Sequence, residues 1–140
     1  MKPIKVYIAH PLSDPDPDVI KANVQAAALI AAWVNIAGQG KLFAICPHTM
    51  CADIWQSMNA LGSELGKAAD DPFWYKGTIA MMLDCDAILM SGKWWLSQGC
   101  CAENREWVKC AEKNKGDVSW FQLPYPTTFE DVEKAVKDLL

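Results

Sequence analysis

The sequence predicts an α/β fold: a doubly wound parallel sheet of about four to five strands, in three α/β/α layers. Three observations carry this expectation. Short β-branched runs alternate with longer helical stretches along the chain. Each strand-like run stops at a proline, a glycine or a polar turn. The chain has 140 residues, of which 51% are apolar, which suits a single domain over 1–140 with one core.

The first strand is expected at Ile4–Ala9, "IKVYIA", ended by the proline-rich "HPLSDPDPD". Asp16 or Asp18 is placed to cap the helix that follows, over 19–38, with Gly38 as its closing glycine. "KLFAICPH" is the second strand, ended by Pro47, and "ADIWQSMNAL" a short helix. "GSELGKAADDP" reads as a loop. "FWYKGTIAMMLDC" is a third helix running into the strand "DAILMSG". Ser97 to Lys113 forms a fourth helix, "DVSWFQL" a fourth strand, and Phe129–Leu140 a last helix. In such a fold, ligands bind at the carboxyl ends of the strands. The loops after Ala9, Cys46, Ser91 and Leu123 are therefore the ones to watch.

Composition narrows the function. A net charge of −4 with mixed signs lacks the basic stripe that a polymeric nucleic acid requires. The apolar run at the N-terminus is too short for a signal segment or a membrane span, so a cytoplasmic protein with reduced thiols and no membrane partner is expected. The six cysteines show neither CxxC nor zinc-ligand spacing, so no metal and no cofactor is expected. A metal site from His10 and His48 with Cys46 or Cys51 fits no known spacing. Asp14, Asp16 and Asp18 lack the turn glycine of a calcium loop. Cys100 and Cys101 stand at a helix start, where a thiol pKa can fall, although packing is the simpler role.

The helix after Ser97 holds the most informative residue. At about 100° per residue, Arg105, Glu106, Lys109, Glu112 and Lys113 share one arc of its wheel. Cys100, Trp107, Val108, Cys110 and Ala111 share the opposite arc, and Glu103 and Asn104 fall among them. A carboxylate on a packed face needs a partner or a function. Glu103 either caps a backbone group, pairs with Lys93, or acts chemically, with the helix N-terminus helping to keep it ionised.

Three stretches together resemble the nucleoside 2-deoxyribosyltransferase-like superfamily: "KVYIAHPLS", "CDAILMSGKW" and "SQGCCAE". The likeness is closest to its small phage-associated branches of uncharacterised function and to the 2′-deoxynucleoside 5′-phosphate N-hydrolases. It spans roughly Lys5 to Ala111, and the Ser-x-Gly-x-x-x-Glu element from Ser97 to Glu103 is its most specific part. The resemblance implies a flavodoxin-like sheet, cleavage of an N-glycosidic bond, and Glu103 as the nucleophile at the sugar C1′. It further implies Tyr7 and Asn23 near the sugar, and Ser97 facing sugar or phosphate. Ala9, His10, Pro11 and Ser13 would form the cradle for a ribose or 5′-phosphate. His10 would contact that phosphate or sugar and His48 would fix a loop. Gly99 would admit the ligand to the backbone, and Trp94, with Trp95 and Trp74, would stack on a base or exclude water. The Trp94–Trp95 pair is alternatively an oligomer contact. A homodimer or higher homo-oligomer is implied as well.

One departure bears on catalysis. The family usually carries an aspartate in the helix before the third strand, and counting back from Asp86 that position is Thr78. Asp70 or Asp71 would have to replace it, or the chain would be a nucleotide-binding module that has lost catalysis. The phosphate loop also lacks the glycines of the N-hydrolases. Asp86 and Asp84 read as structural and solvent-exposed respectively.

Overall fold

The structure, a computed structural model, describes residues 2–61, 71–114 and 119–140. Strand β1 (Ile4–Ala9) leads to helix α1 (Pro17–Ala37), strand β2 (Leu42–Ile45) and helix α2 (Pro47–Ala60). Helix α3 (Asp71–Leu83), strand β3 (Ala87–Met90) and a 3-10 turn (Trp94–Leu96) come next. Helix α4 (Gln98–Asn114), strand β4 (Trp120–Gln122) and helix α5 (Phe129–Val136) complete the order, with a 3-10 turn at Lys137–Leu139. The described strands form one parallel sheet in the order β2-β1-β3-β4. This is the expected flavodoxin-like, three-layer α/β/α architecture.

Alternation along β1 divides the core. Val6 and Ile8 face α1 and α5, where they meet Ala27, Ile30, Val34, Val132 and Val136. Tyr7 and Ala9 face the other way, with Ile88 and Met90, against Met82 of α3 and Cys100 and Trp107 of α4. Each fully buried side chain of this kind contributes about 1.5–3 kcal/mol, so both faces are held firmly. Asp86 is structural, as expected: its carboxylate accepts the Lys5 amide at 2.8 Å and its own amide reaches the Lys5 carbonyl at 2.9 Å. Asp84 is exposed at the end of α3.

Local departures from expectation have local causes. Of the two candidate caps, Asp16 is the one used: its side chain accepts the Asp18 amide, and Pro17 opens α1 with a φ already suited to a helix. Gly38 is not a left-handed terminator. It keeps a right-handed φ of −74°, and the left-handed turn falls on Gln39 and Gly40. Gly38 is small for another reason, since a Cβ there would stand 2.5 Å from the Leu42 Cβ. The second strand ends at Ile45 rather than running to His48. Pro47 and His48 open α2, because a proline lacking an N–H is tolerated in a helix's first turn. The last helix stays α-helical only to Val136 before tightening.

Helix α1 is long and apolar enough to cross a membrane by length and composition. In this fold its buried face, Ala27, Ile30, Val34 and Ala37, instead packs on the sheet. The loop expected over 62–72 lies largely outside the described residues. So do Asp70 and the side chains of Asp71, Glu112 and Lys113.

Candidate functional site

β2 lies on one side of β1, and the chain then crosses back to place β3 on the other, so the strand order reverses between β1 and β3. Their carboxyl ends flank the crevice in which this fold class holds ligands. His10 follows β1 directly and is only 6% exposed. The Ser91 hydroxyl, one residue past β3, donates to the Ala9 carbonyl at 2.9 Å. His10 Nδ1 lies 2.9 Å from the same Ser91 Oγ. A hydroxyl carries one proton, so the imidazole N–H donates to Oγ and the His10 proton sits on Nδ1. His48, opening α2, donates from Nε2 to the His10 carbonyl, and the two rings meet edge to face at 6.4 Å. Burial, with His48 adding in the same direction, pushes His10 down to about 4. Burial lowers His48 too, against the pull of its bond to His10. Both imidazoles are therefore neutral at neutral pH.

Gly92 closes this corner. Its φ is +62°, and a Cβ there would come 2.9 Å from His10 Cε1 and 3.1 Å from Pro11 Cδ. Glycine is required twice over, by conformation and by contact.

On the other side of β1 the Tyr7 ring is wholly buried and Glu103 is 8% exposed. α4 turns Glu103 inward, as the wheel predicts. Burial pushes its carboxyl up to about 7, with the Tyr7 hydroxyl pulling slightly the other way. Tyr7 is raised in turn, chiefly by burial and then by the Glu103 charge, while Thr78 lowers it. Close as they are, Tyr7 and Glu103 form no hydrogen bond of good length and angle, and Tyr7 Oη is buried without a partner among the described residues. The Thr78 hydroxyl is engaged with the Tyr75 carbonyl at 3.1 Å. The expectation that the helix N-terminus keeps Glu103 ionised is thus corrected. Glu103 stands in the second turn of α4, beyond the reach of the dipole, and desolvation wins.

The other expected residues divide. Ser97 caps α4, its Oγ accepting the Cys100 amide at 3.2 Å. Asn23 donates to the Leu12 carbonyl at 3.1 Å and so clamps the loop after β1. Ser13 is exposed on that loop. Trp94 packs edge to face on Trp95 and Trp120, and its buried indole N–H has no partner among the described residues. The indoles of Trp74 and Trp107 are in the same condition. Nothing crowds Gly99: the nearest atom to an added Cβ is Ser97 Oγ at 3.9 Å, so no protein contact demands a glycine there. Asn104 accepts the Trp120 indole N–H at 2.8 Å, which accounts for its inward position. Lys93 does not pair with Glu103; it lies over the Tyr125 ring, 5.2 Å from its centre. The Cys100 thiol is pushed up to about 12, chiefly by burial, which removes it as a reactive thiolate.

An open groove of about 490 Å³ runs along the outer side of α4, between Tyr75, Trp95, Gln98, Cys101 and Arg105. Glu103 is not on its wall. Among the described residues, no three His, Cys, Asp or Glu side chains come together as metal ligands do.

Ser91 and Gly92 were missed as functional positions, although "SG" after a buried strand is a recognisable turn signal. Their contact with His10 joins residues far apart in sequence and has no local signature. Among family models, curated proteins and solved structures, none matches this chain.

Proposed function

We propose that the protein cleaves or transfers at the N-glycosidic bond of a (deoxy)nucleoside or nucleoside 5′-monophosphate, with Glu103 as nucleophile. One observation carries this reading: a desolvated carboxylate lies beside a buried tyrosine hydroxyl that has no partner among the described residues. A buried hydroxyl left unpaired costs about 1–3 kcal/mol, which a sugar oxygen or a water would recover. Ionised Glu103 attacks C1′, and the base departs with the electrons of the C1′–N bond and gains a proton from solvent. The glycosyl-enzyme then passes to water or to a second base, through oxocarbenium-like transition states. No cofactor enters this chemistry. The setting proposed is cytoplasmic, with a homo-oligomeric assembly.

A second reading, a nucleotide-binding module without turnover, is favoured by one position. Thr78 stands beside Tyr7, where the family's aspartate would be expected, and its hydroxyl is already bonded to the helix backbone. Incubation with a panel of nucleosides and 5′-monophosphates, followed by chromatography for free base, separates the two. Release that disappears in Glu103→Gln supports catalysis. Tight binding without release, in both proteins, sinks catalysis and leaves the binding module. Because the nucleophile must be ionised, release rises with pH through about 7.

A further inference from the structure

The loop from His10 to Asp18 joins β1 to α1 at the ligand edge of the sheet. In folds of this class, a phosphate placed there is held by free amides at the helix N-terminus. Here the amides at the start of α1 are already engaged or missing. Pro11, Pro15 and Pro17 have no N–H. The Asp16 amide donates to Asp14 Oδ1, and the Asp18 amide to Asp16 Oδ1, both at 2.9 Å. The Val19 and Ile20 amides turn back to the Asp16 carbonyl. The amides of His10, Leu12, Ser13 and Asp14 lie outside these bonds, all of them before the first turn of α1. The protein's own carboxylates thus take up the amides at the start of α1, and Asp14, Asp16 and Asp18 are all exposed there, adding negative charge.

Nor does the loop supply a cation. His10 is its sole basic residue, held neutral with its proton on Nδ1 toward Ser91. His10 Nε2, which has no partner among the described residues, is then an acceptor, suited to a hydroxyl proton and repelled by phosphate oxygens. Lys93, after β3, is committed to the Tyr125 ring. Lys21 lies outside the loop, exposed on α1. Asn23 and His48 grip the loop backbone from two helices, and Gly92 packs against His10, so the arrangement is set before a ligand arrives.

We propose that this loop selects an uncharged ligand terminus, a nucleoside with a free 5′-hydroxyl, and rejects the 5′-monophosphate. The inference rests on the nucleoside reading above and narrows it. Its test is calorimetric binding of one nucleoside and its 5′-monophosphate to the full chain, at low and high salt. Asp14→Asn/Asp16→Asn is measured alongside. Asparagine keeps the side-chain acceptors that close the turns and cap α1, so only charge is lost. The nucleoside is expected to bind at least about tenfold tighter than the monophosphate. The double variant, and added salt, are each expected to narrow that ratio, the variant by about five- to tenfold. Equal or tighter binding of the monophosphate by the wild type, or a ratio unmoved in the double variant, overturns the proposal. Base release followed in the same samples keeps the two readings apart. Selectivity without release overturns the glycosidase and leaves this inference standing. Preferential release from the monophosphate does the reverse, and binding of neither ligand overturns both.

Discussion

Two polar clusters flank β1, and burial treats them alike while hydrogen bonding does not. At the carboxyl end, His10, Ser91 and His48 are desolvated but bonded: Nδ1 to Oγ, Oγ to the Ala9 carbonyl, Nε2 to the His10 carbonyl. Beneath α4, Glu103 and Tyr7 are equally desolvated and leave Tyr7 Oη unpaired. All the buried unpartnered side-chain atoms among the described residues, on Tyr7, Trp74, Trp94 and Trp107, lie in β1, α3, α4 or the turn between β3 and α4. Native interiors rarely leave such groups unpaired. A cluster whose donors are all engaged sets the shape of a crevice and leaves the His10 Nε2 acceptor open. An unsatisfied one is poised for something that is not part of the chain.

The largest test of this contrast is chemical. Glu103→Gln should lower base release by a factor on the order of a thousand or more, while the corresponding Ser91→Ala lowers it far less. Steady-state chromatography of both variants decides it; equal losses would erase the distinction.

Next comes pH. The folded-state value for Glu103, about 7, lies above the ordinary 4.5. Its contribution is fully present below pH 4.5 and is lost as pH rises through 7. Relative to Glu103→Gln, the wild type should therefore lose about 3 kcal/mol across that window, as read by urea unfolding at several pH values. His10 runs the opposite way. Its pKa is depressed from 6.5 to about 4, so stability is lost as pH falls between those values. Comparing wild type with Glu103→Gln cancels the histidine.

Gly92→Ala should cost about 2–3 kcal/mol, because it adds a left-handed alanine and a clash with His10. A variant as stable as wild type in urea would show that the scaffold yields. Ser91→Ala should destabilise by about 1–3 kcal/mol, since it strips the partner from a buried imidazole N–H. No loss is expected from Tyr7→Phe, which removes a buried oxygen without a hydrogen-bond partner among the described residues. The ligand-free protein should keep its stability or gain up to about 1–3 kcal/mol, while ligand affinity falls. If Tyr7→Phe destabilises the free protein more than Ser91→Ala does, the contrast between the clusters fails.

Much of this was legible in the residues. The run "IKVYIA" read as a buried strand, and one turn of the helical wheel placed Glu103 inside and Arg105 and Glu106 outside. Periodicity reports such facing because it depends on neighbours three or four residues away. Pairings across the sheet left no such trace. Ser97 and Asn23 read as ligand contacts, and the structure shows a local role for each: Ser97 caps α4 and Asn23 clamps a loop carbonyl. A short polar side chain can serve both purposes, and the local one shows only once its neighbours are in place.

By itself, the sequence determined the alternation of strands and helices and the inward face of α4, both from spacing and burial preference. Only the tertiary structure decided what stands opposite Glu103. It brought Tyr7 from one strand and Thr78 from another helix, and desolvated the carboxyl enough to hold it near neutrality. It also seated Gly92 against His10. The reason is physical: a pKa and an unpaired hydroxyl are properties of an environment, and this environment is assembled from segments far apart in the chain.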